Sequence, residues 1–470
     1  MYNGAPLLKR LRVTIRNEMA QLSRLAAPII LTQLSMMGMG VADTVMAGHV
    51  SAGDLAGVAL GANLYWPITF LCTGVLMALT PTVAHLHGAR AQGSAGEVAR
   101  QAAWLAVVFG VLLTVGFQQA APVYALLGVD AEAVPVALAY LDAISWGVIP
   151  LLGYSILRYL CEGMSWTIPA MAIAFGGLVL KIPLNYLFIH GFDAGVVKVP
   201  ALGGPGCGWA SALIMWVELV AMVLVVVQSR MRVTGVFARW SWPDLPAIAR
   251  LIKLGVPIGL TGFLEFGMFS VVALLVGRFG VESVAAHQIA MNLGGITFMV
   301  PMAIGIAASI RIGFHVGGRQ LPAARRSAVI AVGVVAAFAC VGAVLVTLFR
   351  GGIAALYTSD VGVLVLAAEL MLFVAIWQLV DATQAAAIGA LRGFKDTRVP
   401  MLIALLSYWG VGMPVGTAFG FGWIPTEGFT GVRGFWIGYC AALLCAAVVL
   451  LSRLVWLMRR DERVLAFAGR

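Results

Sequence analysis

The chain has 470 residues, of which 61% are hydrophobic and only 11% are charged. Soluble domains have about 25% charged residues, so this composition excludes an ordinary soluble protein and indicates a polytopic membrane protein. The formal net charge of +10 is explained by basic loops facing anionic lipid, and it gives no reason to predict a nucleic-acid partner.

Twelve apolar runs of about twenty residues or more follow one another along the chain. A helix of that length crosses a hydrocarbon core roughly 30 Å thick, so each run predicts one membrane span. The runs cover residues 25–47, 56–82, 101–122, 134–156, 168–190, 203–228, 254–277, 284–310, 327–349, 361–389, 399–421 and 434–457. The predicted fold class is an all-α membrane protein with twelve transmembrane helices.

The basic residues predict which side of the membrane each loop faces. If the N-terminus is cytoplasmic, twenty-five of the thirty lysines and arginines lie in cytoplasmic segments and four lie in outer loops. Short cytoplasmic loops are enriched in Lys and Arg, so both termini are predicted to be cytoplasmic. The remaining basic residue is Lys181, inside the fifth predicted span.

The two halves of the chain repeat each other. The segment LAAPIILTQ at 25–33 aligns with LGVPIGLTG at 254–262, a shift of 229 residues that also aligns Pro28 with Pro257, Asn63 with Asn292 and Arg90 with Arg319. We therefore predict an N-terminal six-helix lobe at 1–228, a cytoplasmic linker at 229–253 and a C-terminal six-helix lobe at 254–470. Such pseudo-symmetric bundles are typical of secondary transporters.

Acidic residues inside the predicted spans mark candidate sites. They are Asp43, Asp142, Glu218, Glu265, Glu369 and Asp381. A charge at the centre of a membrane helix costs about 2.5–3.5 kcal/mol on insertion scales, so such residues usually face a wet cavity or a partner. Gln288 and Asn292 are four residues apart and share a helix face, which suggests either a lined cavity or a tight helix contact.

Four segments in order carry a family resemblance. They are VADTVMAGHVSAGDLAGVALG at 41–61, KIPLNYLFIHG at 181–191, LGGPGCGWASA at 202–212 and ALRGFKDTRVPM at 390–401. Over about residues 20–460 the chain resembles the multidrug and toxic compound extrusion (MATE) family, in particular its bacterial NorM branch. The resemblance implies an antiporter, not an enzyme, which exports organic and mainly cationic drugs by alternating access.

Further properties follow from the same resemblance. No cofactor is implied beyond the coupling ion, Na⁺ and/or H⁺, and the protein is expected to be a monomer in contact with membrane lipid. The expected location is the bacterial inner membrane.

The resemblance also implies roles for residues of the C-terminal lobe. Glu265 and Asp381 match the acids that bind the coupling cation, and they form the predicted metal site for Na⁺. Asn292 is implied as a neighbour in that cation site, and Gln288 as a residue of the substrate cavity.

In the N-terminal lobe, Asp43 and Asn185 match positions that couple protons and drug. One position departs, because the branch usually reads NIPLN and this chain reads KIPLN, with Lys181 first. Lys181 is predicted either to pair with Asp43, to titrate and join the proton coupling, or to extend its stem to the outer surface.

Other classes of function fit less well. An ATP-driven pump needs a Gly-Lys-Ser/Thr phosphate loop, and none of the five lysines follows a glycine. A membrane enzyme needs a nucleophile or metal cluster, and no such constellation appears. The closer alternative is a flippase for lipid-linked saccharide precursors, which would be expected to line its cavity with basic residues. Six acids and one lysine inside the predicted spans favour cationic cargo instead.

Overall fold

The computed structural model describes residues 5–127, 133–193, 198–424 and 428–468, and most of that chain is α-helical. The first half contains α1 (Ala5–Gly48), α2 (Ala52–Leu76), α3 (Leu79–Gly88), α4 (Gln92–Gln118), α5 (Ala121–Leu127), α6 (Val134–Ser145), α7 (Val148–Gly163), α8 (Ile168–His190) and α9 (Gly206–Gln228). The second half contains α10 (Leu245–Val276), α11 (Val281–Gly317), α12 (Leu321–Tyr357), α13 (Val361–Gly393), α14 (Arg398–Leu405), α15 (Met413–Gly420), α16 (Val432–Met458) and α17 (Asp461–Ala468).

Short elements of other kinds connect these helices. There are 3₁₀ turns at Arg230–Thr234 and Gly277–Phe279 and a π-helical stretch at Leu406–Gly412. Strand β1 (Phe192–Asp193) pairs antiparallel with β2 (Lys198–Val199) after α8.

The twelve predicted spans correspond to helices. In the described ranges, eleven helices are long and apolar enough to cross a membrane, and α6 with α7, bent by 47° at their junction, passes the same test as a pair and gives twelve if it counts as one span. The predicted all-α membrane fold is therefore confirmed. Several helices extend beyond the apolar runs, as α12 does at both ends of the run 327–349, because helical backbone hydrogen bonds need no apolar side chain.

The bend between α6 and α7 lies where α9 approaches. A Cβ atom on Gly147 would lie 2.9 Å from the Cα of Ala212 on α9. Real Cβ atoms do not come so close to backbone, so glycine at this position permits the contact between α7 and α9.

The described chain divides into two compact units. We call Pro28–Gly259 the first unit, and Met1–Ala27 together with Leu260–Arg470 the second unit. Each boundary lies inside a helix, in α1 next to Pro28 and in α10 close to Pro257. These are positions that the internal repeat aligns. The lobe limits predicted from the sequence stay a prediction.

Each unit has its own buried core. In the first unit, Tyr65, Tyr140 and Tyr154 are among the largest fully buried side chains. In the second unit, Trp436 and Phe435 are among the largest fully buried side chains.

Matched helix ends provide structural support for the repeat. Four helices end in a glycine, and the second residue beyond it has a left-handed backbone although it is not glycine. These residues are Arg90 (φ 60°) and Ser165 (φ 60°) in the first unit, and Arg319 (φ 56°) and Lys395 (φ 60°) in the second. In each case the next amide donates across the helix end to a carbonyl five residues back, which is a Schellman cap.

The predicted linker is fixed to the first unit. Arg100 of α4 donates to the carbonyl of Gly235 at 2.6 Å and to Ser241 Oγ at 2.8 Å. Trp104 donates to the carbonyl of Ser241 at 3.1 Å. A Cβ on Gly96 would lie 2.8 Å from the amide nitrogen of Val236, so glycine lets the linker lie directly on α4.

Candidate functional site

The first unit holds an ion pair at Lys181, where the sequence reads KIPLN in place of the expected NIPLN. Lys181 Nζ lies 2.8 Å from Asp43 Oδ1, and the lysine is 1% exposed. Asn185, one turn further along α8, donates to the same oxygen at 2.8 Å. The prediction that Lys181 pairs with Asp43 is confirmed, and the alternative in which its stem extends to the outer surface is wrong.

Helix α9 completes the surroundings of the ammonium group. Lys181 Nζ donates to the hydroxyl of Ser211 and to the carbonyl of Cys207 at 3.3 Å. Ser211 Oγ also lies 3.4 Å from Asp43 Oδ2. An ammonium group has three donors, and here each has an acceptor, so the cation that neutralises Asp43 is part of the chain itself.

Sequence reasoning did not assign Cys207 and Ser211 to this site. Both lie in the segment LGGPGCGWASA, four residues apart and therefore on one face of α9. That spacing was the available signal. Which face of α9 meets Lys181 depends on helix packing, which the segment alone does not specify.

The second unit brings Glu265 of α10 and Asp381 of α13 within electrostatic range of each other. Asp381 is 4% exposed and Glu265 is half-buried. No ion pair among the described residues includes either acid. Arg392 is the basic residue within electrostatic reach of Glu265. The two acids therefore share one region, as the predicted cation site requires, and their role stays a prediction.

A tyrosine in a π-helical turn positions Glu265. The hydroxyl of Tyr408 is hydrogen-bonded to the Glu265 carboxyl group, and Gln384 donates to the oxygen of Tyr408. The neighbouring Trp409 donates to the carbonyl of Leu264 at 3.1 Å, which ties the π-helical stretch to α10. Single π-helical turns inside α-helices occur frequently at functional sites.

Sequence reasoning missed Tyr408 and Gln384. Gln384 lies three residues after Asp381 and so on the same face of α13, which was a usable signal. Tyr408 carried none, because the π-helical turn that directs it is not visible in the residue pattern.

Buried oxygen atoms in this region lack hydrogen-bond partners. Among the described residues they include Asp381 Oδ1, Gln384 Oε1 and Gln378 Oε1. Carboxylate and amide oxygens are ligands that hard cations prefer. In the described ranges, no group of three or more His, Cys, Asp or Glu residues could hold a metal, so a cation here would also need amide, hydroxyl or carbonyl oxygens.

The two amide side chains of α11 have no contact with these acids among the hydrogen bonds described above. Gln288 and Asn292 are both exposed, and Asn292 Oδ1 accepts a hydrogen bond from Tyr357 at 3.4 Å. This bond to α12 favours the helix-contact interpretation of Asn292. The roles predicted for Asn292 in the cation site and Gln288 in the substrate cavity stay predictions.

Two further acids of the predicted spans, Asp142 and Glu369, are not buried charges. Asp142 is exposed. The Glu369 carboxylate accepts a hydrogen bond from Arg433 Nε at 2.9 Å, and its side chain is 44% exposed. Surface pairs of this kind contribute little to stability, typically about 0–1 kcal/mol.

Comparison with known families gives a repeated match. The family model MatE matches residues 28–187 and, a second time, residues 257–418. The two matches begin 229 residues apart, which is the shift found within the sequence.

Similar proteins match over nearly the whole chain. Multidrug resistance protein PmpM of Pseudomonas aeruginosa is 41% identical over 461 residues, which cover 97% of this chain and 95% of that protein. The probable multidrug resistance protein NorM of Shewanella oneidensis is 40% identical over 453 residues, covering 96% of this chain and 97% of the relative. Multidrug resistance protein MdtK of Yersinia enterocolitica is 40% identical over 450 residues, covering 95% and 97%.

Solved structures share the fold. The eukaryotic MATE transporter AtDTX14 matches with a TM-score of 0.83 at 19% identity, over 97% of this chain and 100% of that one. A MATE structure in the straight conformation matches with a TM-score of 0.84 at 18% identity, over 94% and 96%. At these identities the likeness concerns the fold alone.

Proposed function

Because this chain belongs to the MatE family, whose members are transporters and not enzymes, we propose that it is a secondary active multidrug efflux transporter. It exports organic, mainly cationic compounds in exchange for inward Na⁺ or H⁺. The relatives named multidrug resistance proteins support the cargo class. In this chain, the observation that carries the proposal is the acid pair of half-buried Glu265 and buried Asp381, neither of which has an ion-pair partner among the described residues.

The acid pair can hold a positive charge that comes from solution. Two carboxylates in a low-dielectric site repel each other, and neither has an ion-pair partner in the described chain. Binding of a proton or Na⁺ removes that cost. Binding of a cationic drug nearby has the same effect, so the two cations compete. Competition of this kind converts entry of the ion into exit of the drug.

The membrane potential adds to this exchange. Moving one positive charge inward is favoured by about 2.3 kcal/mol per 100 mV. In the proposed cycle, drug binds from the cytoplasm and the lobes change access. A coupling ion from outside then displaces the drug.

The Asp43 site has a different part in this proposal. Lys181 already neutralises Asp43 at 2.8 Å, so a metal ion at that carboxylate would be repelled by the ammonium group. Metal-ion coupling is therefore assigned to Glu265 and Asp381, with Tyr408 and Gln384 orienting Glu265. The flippase alternative has no supporting observation of its own, since the buried acids favour cationic cargo.

The proposed setting is the bacterial inner membrane, with both termini cytoplasmic and a monomer as the working unit. The distribution of twenty-five basic residues against four supports this orientation.

The test is export of ethidium from loaded proteoliposomes under separate Na⁺ and H⁺ gradients. Glu265→Gln and Asp381→Asn are expected to lose ion-driven export, whereas Glu369→Gln, which alters a surface pair, is expected to keep it. Normal ion-driven rates in both acid-site variants would show that the coupling site is elsewhere.

A further inference from the structure

The interior of the first unit contains more acids than cations. Five side chains among Asp, Glu, Lys and Arg are buried in the described part of Pro28–Gly259, each at most 8% exposed. They are Asp43, Arg158, Glu162, Lys181 and Glu218. Three acids stand against two cations, so the buried set has one excess negative charge when all of its members are ionised.

Two of the three acids have a cation of their own. Lys181 lies 2.8 Å from Asp43, and Arg158 Nε lies 3.5 Å from Glu162 Oε1 on the same helix, one turn away. Both cations are therefore engaged, and Glu218 is the acid that remains.

Glu218 is buried without a full set of partners. It lies on α9, is 3% exposed, and its Oε1 has no hydrogen-bond partner among the described residues. It is seven residues after Ser211, so both project from the same face of α9. Lys181 and Arg158 are within electrostatic reach of Glu218, as is the phenol of Tyr154 on α7.

The surroundings of the free oxygen do not suit a metal ion. A Cβ built on Gly177 of α8 would lie 2.8 Å from Oε1 and within 3.4 Å of Met39 and Ile214. Both neighbours contribute methyl carbons here, whereas Na⁺ and similar hard cations need several oxygen ligands. A proton needs no such shell, because it binds covalently to one carboxylate oxygen.

We propose that Glu218 is the proton-carrying group of the first unit, taking up one H⁺ as a neutral carboxylic acid and releasing it as a carboxylate during each transport cycle. An ionised carboxylate with a missing hydrogen bond in an apolar setting is costly, and protonation removes that cost. Asp43, the acid that the resemblance assigns to proton coupling, already has Lys181 as its ion-pair partner at 2.8 Å. The proton exchange of the first unit is therefore placed on α9.

The groups that face Glu218 keep fixed charges in this scheme. Lys181 of α8 and Arg158 and Tyr154 of α7 lie within electrostatic reach of Glu218, and Asp43 of α1 pairs with Lys181. The two cations are paired, and the phenol is neutral, so the proton on Glu218 is the variable charge. This inference rests on the proposed transport function and names a residue and an ion within it.

The primary test counts protons exchanged per ethidium in proteoliposomes that contain an internal pH indicator. Glu218→Gln, which keeps the size of the side chain and removes its acid, is expected to lose about one proton per drug. Glu218→Asp keeps an acid at this position and is expected to retain the exchange. Glu369→Gln, at a surface ion pair, is the control that leaves the proton count unchanged.

A double variant separates proton carriage from a merely structural role. Lys181→Asn in the Glu218→Gln background restores one excess negative charge and releases Asp43 from its tethered cation. Proton exchange is then expected to return. A folded double variant that exports drug but does not regain the proton would overturn the charge-balance argument.

The outcomes distinguish failure of the Glu218 role from failure of the proposed drug-export function. If the wild-type protein exports ethidium and Glu218→Gln exchanges as many protons as wild type, the role of Glu218 is wrong while the transport function stands. If the wild-type protein exports no drug under either gradient, the proposed function itself fails.

A second readout is an infrared difference spectrum of the wild-type protein at two pH values, which does not require a variant without the acid to fold. The carboxylic-acid band that belongs to Glu218 should move to a different frequency in Glu218→Asp, whereas the bands of other buried acids such as Asp381 should stay in place. An unchanged spectrum would overturn the proposal.

Discussion

The two units treat a buried membrane acid in opposite ways. In the first unit, Asp43 meets an ammonium group from its own chain, and every donor of that group has an acceptor. In the second unit, Glu265 and Asp381 meet each other and a tyrosine, and an oxygen of Asp381 has no partner. A repeated architecture thus carries one acid site whose charge is compensated by a lysine of the chain and one whose acids have no ion-pair partner among the described residues.

The largest expected effect comes from breaking the compensated site. Lys181→Ala leaves Asp43 buried without its cation, and removing one partner of a buried pair costs about 3–5 kcal/mol. The thermal midpoint of the detergent-solubilised protein is expected to fall strongly.

Two matched variants check this interpretation. Lys181→Asn is expected to lose less, because an amide can still donate to Asp43. Lys181→Ala combined with Asp43→Asn is expected to be more stable than Lys181→Ala alone. A single variant as stable as wild type would mean that the pair does not hold this site together.

A second contrast concerns the linker, which is docked on the first unit. Gly96→Ala places a methyl group against the carbonyl of Thr234 and the amide of Val236, and overpacking of this kind costs about 1–3 kcal/mol. The linker should become more sensitive to trypsin, which cleaves after arginine.

The control for the linker lies one turn away. A Cβ on Gly93 meets nothing within 4 Å, so Gly93→Ala is expected to leave stability and cleavage near wild type. Equal protease sensitivity in the two variants would argue against docking of the linker on α4.

A smaller effect is expected at the Glu265 and Asp381 site when the tyrosine beside it is changed. Tyr408→Phe removes the hydroxyl that orients Glu265 but keeps the ring. Loss of a group that orients a cation ligand typically costs 10–100-fold in affinity, so we expect the apparent affinity for the coupling ion to fall at least about tenfold. Tyr357→Phe removes a hydroxyl bonded to exposed Asn292 and is expected to change little. If both variants behave alike in ion-dependent transport, Tyr408 does not position Glu265.

The smallest expected effect on stability is at the helix caps that follow α7 in the first unit and α13 in the second. Ser165→Gly and Lys395→Gly both relieve a left-handed residue, and each is expected to stabilise by about 1 kcal/mol. The stability contribution of Lys395 also depends on pH, because burial lowers the pKa of its amino group.

The lowered pKa fixes the sign of a pH dependence. Between the folded-state pKa and the unfolded value of about 10.4, the unfolded chain binds more protons, so stability rises with pH in that window. Lys395→Gly should flatten this rise in thermal unfolding curves, whereas Ser165→Gly should not. Identical curves for the two variants would show that the half-buried amino group of Lys395 has no energetic consequence.

Much of the fold was predictable because a bilayer imposes simple rules on a chain. Residues 25–47 or 434–457 must be helical wherever they cross lipid, since an extended segment would leave its backbone groups unpaired. The repeat that aligns Pro28 with Pro257 predicted two related halves, and the family model matched twice in the same register. The acids Asp43, Glu265 and Asp381 were identifiable because a charge in a membrane span is costly.

Packing decided the rest. Whether Lys181 reached Asp43 or the outer surface depended on which face of α8 met α1, and helix period alone leaves that rotation open. The π-helical turn that carries Tyr408 and the docking of the linker on Gly96 arise from contacts between residues about 140 positions apart. The sequence by itself determined how many times this chain crosses the membrane and which rare charges it carries there, because hydrophobicity acts locally along each helix. Only the tertiary structure decided which of those charges are already satisfied, because partners of a buried charge come from neighbouring helices.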